Sequence, residues 1–158
     1  MRLPPRGGFL VPPGSGQLNH LRMLVTVTEQ QSRGAFFVFE RALPPGAAVA
    51  LHEHTRDTGL VYVISGELQY LVGSHWFVAG AGAYVVKPAG VPHACRNDAS
   101  VPAHVIEIAT PGHAGAYYSE LDALVHVAGT ESRDYRAAVD ALSERYGVHW
   151  SCDDGELA

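Results

Sequence analysis

Cysteine, basic residues and long apolar runs are all scarce in this sequence. Only two of its 158 residues are cysteines, Cys95 and Cys152, and these are too few for a disulfide framework, so we expect two reduced thiols. No apolar run reaches the ~18 residues needed to cross a bilayer. Residues 1–22 also lack an apolar run of signal-peptide length. These absences predict a soluble cytoplasmic protein.

The shortage of basic residues bears on the kind of partner. Lys and Arg number 11 against 16 Asp and Glu, which gives a formal net charge of −5. Domains that bind nucleic acid usually display a basic patch, so this balance argues against a nucleic-acid partner. An apolar content of 47% with 17% charged residues is typical of a globular protein, and 158 residues suffice for one domain with its own core.

Glycine and proline, in contrast, are plentiful, with 17 and 10 copies. They separate about eight or nine short apolar segments at a spacing of roughly 8–12 residues, which is the pattern of an antiparallel sandwich or small barrel. The predicted strands lie at 21–29, 35–40, 48–54, 60–64, 67–72, 75–78, 84–86 and 102–109. We therefore predict an all-β fold.

Helix is predicted only after the strands. Apolar residues at helical spacing follow at 117–124 and again at 135–146, with Ser132 as an N-cap and Gly147 as a stop signal. Residues 1–20, which are rich in Pro and Gly, predict an extended arm. The chain is thus expected to be one barrel with an arm before it and a helical tail after it.

Two segments of the predicted barrel carry histidines that point to a metal site. His52 and His54 are two residues apart on one predicted strand, so their side chains lie on the same face. A loop over 88–92 delivers His93 further along the chain. Neutral imidazoles brought together in this way are common metal ligands. The sequence therefore predicts a metal site built from His52, His54 and His93.

The residues around these histidines match the two motifs of a known family. The second motif, G-x5-P-x-G-x2-H-x3-N, fits at every fixed position: Gly82, Pro88, Gly90, His93 and Asn97. The first motif, G-x5-H-x-H-x(3,4)-E-x6-G, fits at Gly46, His52, His54 and Gly66. Over about residues 20–112 the chain resembles the cupin superfamily, in particular the small single-domain cupins similar to quercetin dioxygenase-like proteins.

The resemblance implies a fold, a cofactor and an assembly. The fold is the cupin double-stranded β-helix, a jelly-roll barrel with short C-terminal helices, in which residues 1–158 form one domain with its helical tail at 113–158. The cofactor is one divalent metal ion, Fe, Zn, Mn or Ni, with His52, His54 and His93 as its carried-over ligands. The expected partners are a small-molecule substrate or ligand and a second copy of the chain in a homodimer.

One ligand of the family does not carry over. The motif places a glutamate at position 59, where this chain has Gly59. Thr58 has the wrong strand parity, and Asp57 would need a β-bulge to reach the metal. A three-His site without a carboxylate keeps the full dipositive charge of its metal and leaves extra coordination positions open.

Strand parity predicts which other side chains line the pocket. If His52 and His54 point inward, so does Ala50, and if position 59 points inward, so do Val61 and Val63. Cys95 follows His93 in the same way, as a small buried hydrophobe, as a thiol that lines the substrate pocket or as a fourth ligand.

Four further residues carry open expectations. Gln69 and Glu107 are polar residues on apolar strands, so each faces either the lumen, where it needs a partner, or the solvent. Inside the lumen, Glu107 would be a natural proton acceptor and is the candidate catalytic residue. Tyr84 is a strand residue of the core or of the pocket mouth, and Asn97 is expected to fix the loop beyond His93.

Three functions are consistent with these residues. The first is a dioxygenase-like oxidoreductase acting on a flavonol or a similar enolic or phenolic molecule, which Fe²⁺ would favour. The second is a metal-dependent polyketide cyclase or isomerase, which redox-inactive Zn²⁺ would favour. The third is a non-catalytic cupin that binds a small ligand, consistent with the missing glutamate.

Overall fold

The computed structural model describes residues 7–128 and 133–151, which form two antiparallel sheets and three helices. The first strands are β1 (Gln17–Leu18), β2 (Met23–Val27), β3 (Phe37–Leu43), β4 (Ala48–His54), β5 (Thr58–Ser65) and β6 (Glu67–Val72). They are followed by β7 (His75–Gly80), β8 (Tyr84–Lys87), β9 (His93–Arg96), β10 (Ala103–Thr110) and β11 (Val148–Trp150). The helices are α1 (Glu29–Ser32), α2 (Ala114–Ala128) and α3 (Arg133–Tyr146).

The two sheets face each other as the layers of a jelly-roll barrel. One has the strand order β1-β2-β3-β10-β5-β8 and the other β11-β4-β9-β6-β7. Their facing side chains form the main core, whose buried members are Leu43, Val61, Val63, Leu68, Tyr70, Ala79, Val85, Cys95, Ala103 and Val105. The expected all-β double-stranded β-helix is therefore confirmed, and its two sheets follow from the alternating apolar pattern of the strands.

A bulge in β4 corrects one parity prediction. The pairing of β4 with β9 shifts register between Val49 and His52. As a result Val49 packs against the core and Ala50 is exposed, although His52 lies inward as expected. A bulge inserts an extra residue into one strand and so reverses the alternation on its two sides.

The C-terminal segment contributes to the barrel as well as to a helical tail. The two helices predicted from their apolar faces are present as α2 and α3, and Gly147 ends α3 with a left-handed φ of 71°. Strand β11 then pairs antiparallel with β4, with Val148 opposite His54 and Trp150 opposite His52. This pairing was not predicted from the sequence, and it places residues 148–150 beside the histidines.

Several predictions from the sequence fall beyond the part of the chain that the structure describes. The Ser132 N-cap, residues 1–6 of the arm and Cys152 lie outside the described residues. The short helix α1 lies within the region predicted as strand and loop, where Thr28 and Gln31 form a reciprocal capping box. Among residues 7–128 and 133–151, no helix is long and apolar enough to span a membrane.

Candidate metal centre

The three predicted histidines come together inside the barrel. His52 and His54 lie on β4, and His93, at the start of β9, is the direct register partner of His52. All three side chains are buried, and each offers a ring nitrogen within 4.8 Å of the others. Their grouping follows from one strand carrying two histidines on a single face and the neighbouring strand carrying the third. The structure thus brings together the complete histidine set that the sequence predicts.

Outer contacts orient two of the imidazole rings. Nδ1 of His52 lies 2.7 Å from the carbonyl oxygen of Ala50, and Nδ1 of His93 lies 2.9 Å from that of Val91. A ring nitrogen facing a carbonyl must carry the proton, so both contacts select the tautomer whose Nε2 lone pair is free. This arrangement is the usual outer support of a metal-binding histidine.

The third ring, that of His54, is backed by a carboxylate. Its Nδ1 lies 2.9 Å from Oδ2 of Asp57, although the two groups are not aligned as a hydrogen bond. Asp57 is buried and also lies 3.6 Å from Nε2 of His113. Asp57 therefore stands behind His54 as an orienting group, which is a different place from that of a fourth ligand.

The surroundings of His52 and His93 keep these two imidazoles neutral. Burial, together with the neighbouring His93, lowers the pKa of His52 from its usual 6.5 to about 2. Burial and the Lys87 ammonium lower the pKa of His93 to about 4. Nε2 of His93 is moreover a buried atom without a hydrogen-bond partner among the described residues. Neutral, buried rings with a free lone pair fit a divalent ion that accepts nitrogen ligands, such as Zn²⁺ or Fe²⁺.

Lys87 occupies the space that the missing glutamate would need. Gly59 on β5 is the direct register partner of Lys87 on β8. A Cβ atom added to Gly59 would lie 2.7 Å from Cε of Lys87. The absence of a side chain at position 59 therefore makes room for a lysine from the neighbouring strand, a role for Lys87 that was not predicted from the sequence.

Lys87 pairs with the candidate proton acceptor, Glu107. Its Nζ donates a hydrogen bond of 2.5 Å to Oε2 of Glu107 on β10, and the two side chains are only 12% and 16% exposed. Burial alone would raise the pKa of Glu107, but the Lys87 ammonium outweighs it, and the net effect is a lowered pKa. Glu107 thus faces the lumen as an ionised carboxylate, in agreement with the inward placement weighed from the sequence.

Two small cavities flank this pair. One of about 20 Å³ is lined by His54, Asp57 and Gly59, and one of about 40 Å³ by His52, Tyr70 and Cys95, among others. Both are also lined by Phe39, Lys87, His93, Glu107 and Tyr118. A larger cavity of about 340 Å³ lies outside the barrel between β2, α1 and α2, and none of the three histidines lines it. The chemistry-bearing residues therefore surround the two small cavities.

The C-terminal segment closes the site from outside. The indole of Trp150 stacks on the His52 ring with centroids 4.4 Å apart. Its Nε1 donates a hydrogen bond of 3.2 Å to the hydroxyl of Tyr117, which itself lies 3.1 Å from Oγ of Ser143. A ring held over a candidate ligand in this way limits the access of solvent and chelators to the site.

Replacement of Trp150 by alanine is expected to speed metal loss. Removal of an aromatic contact worth about 0.5–1.5 kcal/mol should raise the open fraction of the segment by about two- to tenfold. The measurement is the rate at which excess chelator strips the metal-loaded protein. Trp76→Ala, at an exposed tryptophan on edge strand β7, is the control. Equal stripping rates for the two variants would show that Trp150 does not guard the site.

The other predicted pocket residues divide between the core and the outer surface. Val61 and Val63 point inward as expected and are fully buried in the core. Gln69 lies between the inward-facing Leu68 and Tyr70 and is half-buried on the opposite face, and Tyr84 is 68% exposed. Strand alternation therefore turns Gln69 and Tyr84 away from the lumen, which corrects their placement in the pocket.

Cys95 and Asn97 have more definite places. Cys95 is buried beside the second cavity, and burial raises the pKa of its thiol to about 11, so it is protonated at neutral pH. This favours the packing role of Cys95 over that of a thiolate ligand.

The side-chain amide of Asn97 donates hydrogen bonds to the carbonyl oxygens of Leu43 and Val101, and its side-chain oxygen accepts one from the backbone N–H of Ala99. Its expected structural role is confirmed.

Comparison with known proteins connects this geometry with a family. Residues 39–109 match the family described as Cupin domain. No curated protein matches the chain. Among solved structures, an uncharacterised conserved protein with a double-stranded β-helix domain from Klebsiella pneumoniae is 24% identical, with a TM-score of 0.53 over 66% of this chain and 84% of that one.

Two further structures share the fold. A protein from Thermus thermophilus is 26% identical, with a TM-score of 0.51 over 60% of this chain and 89% of that one. A Thermotoga maritima protein described as a predicted oxalate decarboxylase is 21% identical, with a TM-score of 0.51 over 56% of this chain and 78% of that one. The match over residues 39–109 covers less than half of the chain, and together with these neighbours it supports a cupin-type double-stranded β-helix as the fold of this part of the chain.

Proposed function

We propose that this cupin is a metal-dependent enzyme that acts on a small oxygenated organic molecule, with dioxygenase-like chemistry on an enolic or phenolic substrate. The observation that carries the proposal is the buried three-His group, with the Glu107 carboxylate lining both of the cavities that these histidines line. A metal ligand set and a proton acceptor are the two parts that such a reaction needs.

Each residue of the site would have a separate role in the reaction. His52, His54 and His93 would hold the metal, which when bound supplies Lewis-acid activation of a substrate oxygen and, if redox-active, reactivity toward dioxygen. The carboxylate of Glu107 would accept the proton of the substrate's enolic or phenolic hydroxyl. Phe39 and Tyr118, which line both cavities, would exclude water from the reacting atoms.

Cavity size bears on the substrate. Sites for drug-sized ligands have volumes of about 300–1,000 Å³. The cavities beside the histidines measure only about 20 and 40 Å³. A flavonol would therefore need the segment that carries Trp150 to move aside, whereas a smaller molecule would not. The flavonol itself stays a prediction, and the cavity volumes support a substrate much smaller than a flavonol.

Cyclase or isomerase chemistry is the second candidate, and the Lys87–Glu107 pair is the observation that favours it. Proton transfer at a redox-inactive metal needs an acceptor and a nearby cation to stabilise the developing oxyanion. Glu107 and Lys87, which lie 2.5 Å apart beside His93, offer both. Dioxygen would play no part in that reaction, so oxygen uptake distinguishes the two candidates.

Replacement of Glu107 by glutamine tests the enzymatic proposal. The protein is reconstituted separately with Fe²⁺, Zn²⁺, Mn²⁺ and Ni²⁺ and assayed with small enols, phenols and diketones for turnover and oxygen uptake. Loss of a positioned acid–base group should lower kcat by about 10²–10⁴-fold, measured at a metal concentration that saturates both proteins, because the unpaired Lys87 ammonium weakens metal affinity. Asp98→Asn, which removes the carboxylate of an exposed pair with Arg96, is the control.

Turnover without oxygen uptake would select the cyclase or isomerase candidate. Metal binding without turnover of any substrate would favour the non-catalytic ligand-binding alternative. Unchanged kcat in the Glu107→Gln protein would show that Glu107 takes no part in the reaction.

A cytoplasmic location and a homodimer stay predictions. A second copy would be sought at the exposed apolar side chains on edge strand β7, among them Trp76, Phe77 and Val78.

A further inference from the structure

Lys87 places a cation where the family motif has a carboxylate. The ideal Cβ position of Gly59 lies 2.7 Å from Cε of Lys87 and 3.4 Å from its Nζ. The side chain reaches this point because Gly59 and Lys87 are paired directly across β5 and β8. The exchange of a carboxylate for an ammonium changes what the site attracts, since it reverses the sign of one charge beside the histidines.

The charges of the lumen favour an anionic ligand. The positive charge of Lys87 and the negative charge of Glu107 cancel within their ion pair. A divalent ion on the histidines would leave its whole dipositive charge uncompensated in a buried place. Uncompensated charge is costly away from water, so a ligand that brings negative charge is favoured there.

Lys87 also has hydrogen-bonding capacity to spare. An ammonium group has three N–H donors, and one of them is directed at Oε2 of Glu107. The side chain lines both small cavities together with Glu107 and His93. A ligand oxygen in either cavity would therefore lie beside an ammonium donor, and it would compete with Glu107 for that donor.

The two cavities limit the size of such a ligand. A water molecule needs about 10–15 Å³ of this kind of volume. The two cavities, of about 20 and 40 Å³, are both lined by Lys87 and Glu107, and together they accommodate roughly four to six non-hydrogen atoms once a ligand displaces Glu107 from Lys87. That is the size of a two- or three-carbon organic acid.

We infer that the site selects small organic carboxylates through Lys87. The carboxylate of the ligand takes the place of Glu107 on the Lys87 ammonium, and Glu107 is thereby released to accept a proton from the same ligand. The inference rests on the proposed function for the role of the three histidines. It explains why a buried ion pair stands at this point, since such a pair is often no more stabilising than apolar residues of the same volume.

The test is calorimetric titration of the metal-free protein with pyruvate and with pyruvamide, its neutral isostere. The wild type is expected to bind pyruvate about tenfold more tightly than pyruvamide, because a charged hydrogen bond is lost with the amide. Glu107→Gln should tighten pyruvate binding by about tenfold, since it removes the internal competitor for Lys87. The double variant Lys87→Met/Glu107→Gln should show no preference between the two molecules.

The double variant keeps the volume of the pair and removes both charges, so it leaves no unpaired buried charge, and thermal unfolding verifies its fold. Asp98→Asn serves as the carboxylate-removal control. Equal affinity for pyruvate and pyruvamide in the wild type, or weaker pyruvate binding in Glu107→Gln, would overturn the inference. A preference for pyruvate in a protein that binds no metal would keep the inference and reject the proposed function. Metal binding without a preference for pyruvate would keep the proposed function and reject the inference.

Discussion

Simultaneous replacement of His52 and His54 by alanine is expected to abolish metal binding. The two residues supply two of the three nitrogens in the buried group. A four-ligand zinc site is worth about 10–16 kcal/mol, or about 3 kcal/mol for each ligand, so the loss of two should weaken binding by about 10⁴-fold. The measurement is metal content after reconstitution, followed by competition with a chromogenic chelator.

The control for this experiment removes two histidines elsewhere. His75 and His104 are both exposed and lie outside the group, so His75→Ala/His104→Ala should keep the metal content of the wild type. Stoichiometric metal in the His52→Ala/His54→Ala protein would place the metal elsewhere. No metal in the wild type after reconstitution with all four ions would reject the enzyme as proposed.

The histidine group could be predicted because its geometry is local. Two histidines two residues apart share a strand face whatever the rest of the fold does. The turn residues around them, Gly82, Pro88 and Gly90, set the spacing on which the resemblance to the cupins rests. Gly90, for example, has a left-handed φ of 72° and donates its backbone N–H to the carbonyl oxygen of His54. Glycine adopts a left-handed φ more easily than other residues, so the presence of glycine at this position indicates the turn.

Lys87 could not be assigned in the same way. Lys87 ends an apolar strand, and the residues near it in the sequence do not indicate which strand pairs with that strand. Only the pairing of β8 with β5 puts it opposite Gly59, and only the pairing of β5 with β10 puts Glu107 within its reach. The absence of the glutamate was visible in the sequence, whereas its replacement depends on two long-range pairings.

The same reasoning applies to Ala50 and Trp150. Perfect alternation predicts an inward Ala50, but a bulge in β4 turns Ala50 outward. The sequence has no glycine or proline at this point that would indicate the bulge. Trp150 belongs to a strand of three residues, too short for its pattern to be distinguished from loop. The barrel was therefore predictable from periodicity and turn chemistry, while the lining and closure of its site depend on contacts between distant segments.

Restoration of a carboxylate at position 59 is expected to strengthen metal binding, but only after Lys87 is removed. In Gly59→Glu alone, the new side chain meets the flexible end of Lys87, which can move aside and pair with the added carboxylate. The carboxylate is then neutralised, and the gain in affinity should be small, about twofold or less. In Gly59→Glu/Lys87→Ala the carboxylate is free to act as a fourth ligand, and affinity should rise by about 10²-fold, which corresponds to about 3 kcal/mol for one ligand.

Four proteins measured in one chelator competition complete the cycle: wild type, Gly59→Glu, Lys87→Ala and the double variant. Lys87→Ala alone should already raise affinity somewhat, because it removes a cation beside a dication and leaves Glu107 unpaired. The decisive quantity is therefore the coupling between the two changes, which a double-mutant cycle isolates. Gly80→Glu, which adds the same charge where no atom lies within 4 Å of the new Cβ, is the control. If Gly59→Glu has the same effect with and without Lys87, then the lysine neither fills nor opposes the place of the missing ligand.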